Sequence, residues 1–371
     1  MKAGWEETRL GDAVTLNYGK ALAKSERSPG GAIPVYGANG VMDWSNHQLI
    51  EGPSLVVGRK GSAGEITRVD GPFWPSDVTY YTSHDQNRLN FDFLHYCLLT
   101  LNLPSMARGV KPGINRNDVY ALPIPLPPLE EQQRIVAVLD EALEGLARAR
   151  AHAEANLQNV RELFESIKAN ALAYKGPDRE EVILSEVSDI TSGLVDPREN
   201  DYADMLHLGA GNMITGTDEL VDVKTAREEK LKSGKYLFDE TTILYSKIRP
   251  YLRKAARPDF QGLCSADVYP LTPKPDRLDK DFLFHLLLGH DFTEYAISGS
   301  DRAGMPKVNR NHMFAYRFEL PPIEAQRRIA TAIDEAHISC SALVELANKK
   351  LQDLDDLRQS LLQKAFAGEL T

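Results

Sequence analysis

The chain is poor in cysteine, in unbroken apolar sequence and in excess positive charge. Its 371 residues hold three cysteines, Cys97, Cys264 and Cys340, scattered without the pairing of a disulfide framework or the spacing of a metal site. That scatter points to a reducing, cytoplasmic setting. No run approaches the roughly 18 apolar residues of a membrane span, and the opening MKAGWEETRLGD lacks the apolar core of a signal peptide. The expectation is a soluble protein with no membrane contact.

Catalytic signatures are missing too. There is no G-x-x-x-x-G-K-[ST] phosphate loop, no Asn-Pro-Pro-Tyr or Asp-Pro-Pro-Tyr of amino-group methylation and no G-x-S-x-G elbow. His84, His95, His285 and His290 have no metal spacing. Asp276, Asp279 and Lys280 sit near Pro275 in a charged loop, at a spacing that argues poorly for a nuclease carboxylate–lysine site. A non-catalytic chain with no cofactor of its own is expected.

What is present is a duplication. LPPLEEQQRIVAVLDEA, from Leu126 to Ala142, returns 194 residues later as LPPIEAQRRIATAIDEA, from Leu320 to Ala336, with ten of seventeen positions identical. This period far exceeds the roughly 20–50 residues of a solenoid unit, so half a molecule has been repeated. At the same shift Pro112-Gly113-Ile114-Asn115-Arg116-Asn117 matches Pro306-Lys307-Val308-Asn309-Arg310-Asn311. Further back the shift drifts to 189, where Asp92-Phe93-Leu94 meets Asp281-Phe282-Leu283, and before that only fragments align, such as Leu55–Lys60 against Ile243–Ile248. Each half is a variable block followed by a nearly fixed one. The divisions are 1–125, 126–176, 177–319 and 320–371.

The fixed blocks read as helices. Proline suits a first helical turn, and Glu130 or Glu324 sits at the positive end of the helix dipole. Heptads follow: Leu139, Leu146, Ala153, Val160 and Ile167 on one seam position, with Ala142, Ala149, Asn156 and Leu163 on the other. The second copy offers Ile333, Cys340, Ala347, Leu354 and Leu361 with Ala336, Leu343, Lys350 and Leu357. Asn156 and Lys350 are expected to fix register at the seam. A helix of about 40 residues spans roughly 60 Å, and one apolar stripe needs a partner. The other copy supplies it, most simply as an antiparallel coiled coil; packing of each helix on its own variable block is the alternative.

The variable blocks read as small α+β globules. Ile33–Tyr36, Ser54–Val57 and Val78–Thr82 are strand candidates in the first, Thr242–Tyr245 and Val268–Leu271 in the second. Phe91–Leu103 and Phe282–Leu288 read as buried helices. The net charge is −10, and no block is basic overall: residues 1–125 carry 12 basic and 12 acidic side chains, residues 177–320 carry 19 and 25. Any nucleic-acid surface must therefore be a local patch.

Two stretches offer such patches. YSKIRPYLRKAAR, Tyr245 to Arg257, interleaves Lys247, Arg249, Arg253, Lys254 and Arg257 with Tyr251 and has no acid, which suits phosphate contact as well as a solvated face. Its counterpart VVGRKGSAGEITR places Arg59 and Lys60 on a glycine-rich turn. The paired loops add Arg108, Lys111 and Arg116 in the first half, and Arg302, Lys307 and Arg310 in the second. Arg can bind guanine and Asn can bind adenine, but Asn115 and Asn309 fit a helix-cap device equally well.

Two dissimilar globules, each followed by a similar long helix, resemble the specificity subunit of a type I restriction-modification system. The residues that carry the likeness are LPPLEEQQRI, LPPIEAQRRI, the terminal LLQKAFAGEL and GANG at Gly37–Gly40, and it covers essentially the whole chain. The resemblance implies two target recognition domains, each reading one half of a bipartite double-stranded DNA site, with the coiled coil setting the gap. It implies two methyltransferase subunits using S-adenosylmethionine and two motor-endonuclease subunits using ATP and Mg²⁺, so those cofactors belong to the partners. Partner docking is expected on the helix openings, at Glu130, Gln132 and Arg134 and at Glu324, Gln326 and Arg328. The rival reading, from a different class, is a pseudo-symmetric scaffold without DNA contact, which the acidic balance favours.

Overall fold

The computed structural model describes residues 2, 4–191, 193–300 and 305–370. The chain divides into two compact units, Met1–Glu154 with Asn348–Thr371, and Ala155–Ala347. The division does not follow the four sequence blocks. It cuts through the middle of both long helices, Leu129–Leu172 and Ile323–Ala367. An antiparallel pair requires this, because the first half of either helix meets the second half of the other. In the first unit Arg150 pairs with Asp355, and Ile135 and Leu139 share a core with Leu362 and Ala365. In the second unit the Phe164 and His337 rings lie 5.3 Å apart.

The seam differs from expectation at one of its two positions. Leu139 and Ala153 are buried as expected, and so are Ile333 and Cys340. Asn156 and Lys350 are exposed and set no register, while Leu163, Leu343 and Leu357 are 51%, 46% and 48% exposed. Ala142, Ala149 and Ala336 are part-buried as expected, but elsewhere the second seam position lies one residue later, at Leu157, Phe164 and Ala171, and at Val344, Leu351 and Ala365, with Leu143 and His337 also part-buried. Spacings of three-then-four and four-then-three share the same seven-residue period. The wider choice covers Leu157 and Phe164 in place of Asn156 and Leu163, so it removes more apolar area from water.

In the first unit, strand Glu6–Arg9 runs antiparallel to Pro123–Leu126. This pairing ties the start of the globule to the turn that opens the helix. Strands Val14–Tyr18, Thr79–His84, Ser54–Gly58 and Ile66–Val69 form an antiparallel sheet in that order. The hairpin of Ile33–Gly37 and Gly40–Ser45 adds Trp74–Pro75 in parallel as a second sheet. All five residues of Ser54–Gly58 are buried, as a central strand covered on both faces demands. Helix Phe91–Thr100 packs Phe93, Leu94, Cys97 and Leu98 into the core.

The second unit repeats the plan with its own additions. Glu180–Ile183 pairs antiparallel with Arg317–Leu320, repeating the clip between first and last strands. Ile243–Ser246 and Val268–Pro273 are neighbours in a four-stranded sheet, and a five-stranded sheet is built from short strands between Leu194 and Cys264. Helix Lys280–Leu287 is buried along most of its length. Among the described residues no helix is long and apolar enough to cross a membrane.

Candidate nucleic-acid interface

The two short loops matched in sequence take up matching places. In the first unit the Ile114 amide donates to the Arg59 carbonyl at 3.1 Å, and in the second the Val308 amide donates to Lys247 at 2.9 Å. Backbone bridges Lys60–Gly113 and Ile248–Lys307 complete the match. Asn115 caps helix Arg116–Tyr120, accepting from the Asn117 amide, and Asn309 caps Arg310–Phe314, accepting from His312. The cap reading therefore accounts for both asparagines, and each cap turns the next residue, Arg116 or Arg310, into the corner beside Arg59 or Lys247.

The first corner holds uncompensated positive charge. Arg59 and Arg116 lie over the Tyr18 ring at 5.2 and 4.9 Å, and Tyr18 packs on Tyr80 at 5.1 Å. With Lys60, Gly113, Ile114 and Asn115 these residues line an open hollow of roughly 400 Å³. Among the described residues no carboxylate pairs with Arg59, Lys60 or Arg116, and the Nε atoms of both arginines are buried without an acceptor. Arg116 spends one nitrogen on the Leu16 carbonyl at 3.3 Å. Arg108 and Lys111 stand exposed on the adjoining loop. Sequence reasoning missed Tyr18 and Tyr80; the match of Tyr80 to Tyr269 at the 189-residue shift is the signal that marks the second.

The second corner is neutralised. Lys247 lies over Tyr269 at 5.5 Å and pairs with Asp267 at 3.2 Å, and Lys307 reaches the same carboxylate. Arg310 pairs with Asp189. The expectation that Tyr245–Arg257 faces phosphate is corrected along most of its length. Tyr245 is buried in the core, Arg253 clasps Glu165 of the first long helix at 2.9 and 3.2 Å, and Lys254 donates to the Ala210 carbonyl. Arg257 bonds to Asp218, Asp281 and both oxygens of Asp334. These cations are spent on internal contacts. Arg249 and Tyr251 remain exposed, on a turn where Arg249 and Arg253 both take left-handed backbone (φ 50° and 45°), a conformation that bulky side chains seldom adopt. Arg302 lies outside the described residues.

The helix openings also behave differently from expectation. Gln132 and Gln326 are fully buried, so neither offers a surface to a partner. Gln132 accepts from the Asn90 amide at 2.8 Å and donates to the Arg88 and Pro127 carbonyls at 3.0 and 2.8 Å. Gln326 repeats the set with the Asp279 amide and the Arg277 and Pro321 carbonyls at 2.8, 2.9 and 2.8 Å. Each glutamine fastens the cap of the buried helix to the Pro-Pro turn. Glu130, Arg134, Glu324 and Arg328 are exposed. Asp279, weighed above as a nuclease acid, is the helix cap itself, accepting from Asp281 and Phe282, and Lys280 donates to the Glu240 and Pro258 carbonyls.

A second fastening repeats one helical stretch on. Tyr96 bonds to Asp140, and its match at the 189-residue shift, His285, bonds to Asp334 at 3.0 Å. The Tyr96 hydroxyl is pushed up, first by burial and then by Asp140. Burial would raise the Asp334 carboxyl, but the bonds from His285 and Arg257 outweigh it and hold the group well below the usual carboxylate range. The repeated Asp-Glu-Ala of the two motifs thus carries the anchor that holds each globule to its helix.

Comparison with known proteins agrees in kind. The family model described as the type I restriction modification DNA specificity domain matches residues 2–151 and 178–353. The Escherichia coli protein named type I restriction enzyme EcoDI specificity subunit is 26% identical over 408 residues, covering 100% of this chain and 90% of that one. A chain from a solved structure concerned with complex assembly and conformational transition of the type I R-M system superposes with TM-score 0.78 at 20% identity, covering 100% of this chain and 99% of the other. The HsdS subunit of Thermoanaerobacter tengcongensis gives TM-score 0.62 at 20% identity, over 100% and 98%. At these identities the two structures speak to the fold.

Proposed function

The chain belongs to the type I restriction-modification DNA specificity family, and on that premise we propose that it is the DNA-recognition subunit of such a complex, each globule reading one half of a bipartite duplex site. The long helices set the gap between half-sites in this reading. The observation that carries it is the first corner: two arginines stacked on one tyrosine, beside Lys60, with no carboxylate among the described residues to neutralise them. An acidic chain that leaves such a cluster unpaired offers it to an anion, and DNA phosphates are the anions this reading assigns to it, with Arg108 and Lys111 exposed on the adjoining loop.

The chain itself is non-catalytic in this proposal. Methyl transfer falls to two methyltransferase subunits with S-adenosylmethionine, and cleavage to two motor-endonuclease subunits with ATP and Mg²⁺, all working in the cytoplasm. The exposed Glu130, Arg134, Glu324 and Arg328, not the two buried glutamines, are the docking candidates at the helix openings. With the second corner neutralised, Arg249 and Tyr251 are the candidates of the Tyr245–Arg257 stretch left exposed to DNA.

Salt dependence tests the reading. For the assembled methyltransferase complex on its own duplex, log K falls with log salt by about 0.9 for each phosphate neutralised. The double variant Arg59→Ala, Arg116→Ala is expected to make that slope shallower by about 2. An unchanged slope removes the corner from the interface, and salt-independent binding by the parent complex favours the scaffold reading.

A further inference from the structure

Two projections flank the cationic hollow of the first unit; Arg108 and Lys111 on one of them are phosphate candidates, but the tips of both have no role in the fold. One is the hairpin turn Gly37–Gly40. It rests on Gly58, the residue before Arg59: a Cβ there would meet the Ala38 carbonyl oxygen at 2.7 Å, so only glycine lets the turn settle so close. Gly40 at φ 119° closes the turn. The other is the finger Arg108–Gly113, shut by paired backbone bonds of 3.0 and 3.1 Å between its ends and fixed to Gly61 through the Pro112 carbonyl at 2.8 Å. The hollow lies between their bases, at Arg59 and Lys60.

Both projections end in side chains that the fold itself does not use. Asn39 is exposed, and its amide bonds to nothing among the described residues. The similar stretch Gly209–Asn212 of the second unit shows the contrast. There Asn212 accepts from the Gly209 amide and donates to the Val221 and Asp222 carbonyls. Beside Asn39, Val41 and Met42 are 48% and 52% exposed, and Val110 at the finger tip is fully exposed. The hairpin is nevertheless held firmly. Val35 pairs with Trp74, the Ser28 amide donates to the Trp44 carbonyl at 2.8 Å, and Arg27 pairs with Asp43.

Resting on the proposed DNA reading, we infer that the Asn39 turn and the Val110 finger are the base-reading elements of the first globule. They enter a duplex groove while Arg59, Lys60 and Arg116 hold the backbone. A two-stranded ribbon fits the major groove, where an asparagine amide matches the N6 and N7 edge of adenine and apolar side chains meet the thymine methyl. Exposed aliphatic tips beside a phosphate site also serve as wedges at a base step. The first half-site therefore contains an A·T pair read by Asn39. The occupant is DNA and not a protein partner because the tips are continuous with an unpaired cationic surface.

The test uses the assembled methyltransferase complex, competing duplexes randomised across the first half-site. Asn39→Asp keeps a turn-forming residue but replaces the amide donor with an acceptor, and Asn39→Ala removes both. Each is expected to lower discrimination at one A·T position by about 10- to 100-fold and leave the second half-site unchanged. Met42→Ala with Val110→Ala is expected to lower affinity for the cognate duplex while sparing affinity for unrelated DNA. An unaltered preference in the Asn39 variants overturns the inference, as does uniform weakening on all sequences with an unchanged tryptophan emission spectrum. Loss of partner subunits on gel filtration from the Met42, Val110 variant would reassign the tips to protein docking. If these variants are silent while Arg59→Ala, Arg116→Ala flattens the salt slope, only this inference falls. If the parent complex shows no half-site at all, both fall.

Discussion

Replacing Gln132 by leucine separates the two roles that a repeated glutamine can have. The side chain is fully buried and saturates one amide and two carbonyls. Leucine has nearly the same bulk and none of these bonds, so the Asn90 amide and the Arg88 and Pro127 carbonyls lose their partner inside the protein. Each buried unsatisfied group costs about 1–2 kcal/mol. About 1 kcal/mol returns from the extra apolar burial, leaving a net loss of roughly 3 kcal/mol. Gln326→Leu faces the same three groups and is expected to lose a similar amount.

The assay is urea unfolding of the full chain, with tryptophan emission and circular dichroism followed together. All three tryptophans, Trp5, Trp44 and Trp74, lie in the first unit, so Gln132→Leu should move the emission transition directly. Gln326→Leu should act first on circular dichroism. Gln132→Glu adds a check of sign. A carboxylate facing two carbonyls is held above its ordinary pKa, so this variant should gain stability as the pH is lowered and the acid becomes a donor. A Gln132→Leu chain that unfolds within about 0.5 kcal/mol of the parent, the range of an ordinary surface change, yet loses its partner subunits would refute the fastening role. That outcome would restore the glutamines to a docking surface.

Asp334→Asn should cost about 2–3 kcal/mol, between exposed and buried ion pairs, whereas Asp140→Asn, which loses one bond to Tyr96, should cost about 1. Because the folded Asp334 carboxyl is depressed, its contribution is present above about pH 4 and fades as the pH falls below that; melting curves across pH check both size and direction. Phe164→Ala should cost about 2 kcal/mol as a partly buried seam residue, while Leu163→Ala should stay within about 0.5; the reverse order in urea would restore the seam expected from sequence. Cys97, Cys264 and Cys340 are all buried, and burial pushes the Cys97 thiol up to about 12. A thiol reagent at neutral pH should therefore label none of them until the chain unfolds, and prompt labelling of the native protein would contradict the packing.

The features legible in the sequence are those whose physical cause is local or repeated. The heptads, the Pro-Pro openings and the 194-residue shift announce two paired helices because periodicity of 3.5 residues is itself the packing pattern. The strand candidates Ile33–Tyr36 and Ser54–Val57 fall inside observed strands Ile33–Gly37 and Ser54–Gly58 for the same reason. The asparagine caps were visible as one of two readings, since a cap needs only an amide two or three residues on.

Charge behaved differently, because whether a cation is free depends on acids far away in the chain. Arg257 and Arg59 look alike in sequence, each on a basic stretch near aromatics. Arg257 meets Asp218, Asp281 and Asp334, at separations of 39, 24 and 77 residues, and its charge is spent on fastening a globule to its helix. Arg253 meets Glu165 from 88 residues away. Among the described residues Arg59 meets no carboxylate and lies over the Tyr18 ring, a partner that steadies a guanidinium without neutralising it. Counting charges by block gives equal numbers to residues 1–125 and an acidic excess to residues 177–320, which agrees in sign with where the unpaired cations lie, but by itself it assigns no residue, and the densest basic run lies in the block whose cations are paired. Acids of the second block (Asp189, Asp218, Asp267 and Asp281) together with Glu165 and Asp334 of the two long helices silence its cations. The same bookkeeping predicts that Asp267→Asn, which frees Lys247 and Lys307, should steepen the salt dependence of DNA binding by the assembled complex, and an unchanged slope would show that the second corner does not face the duplex.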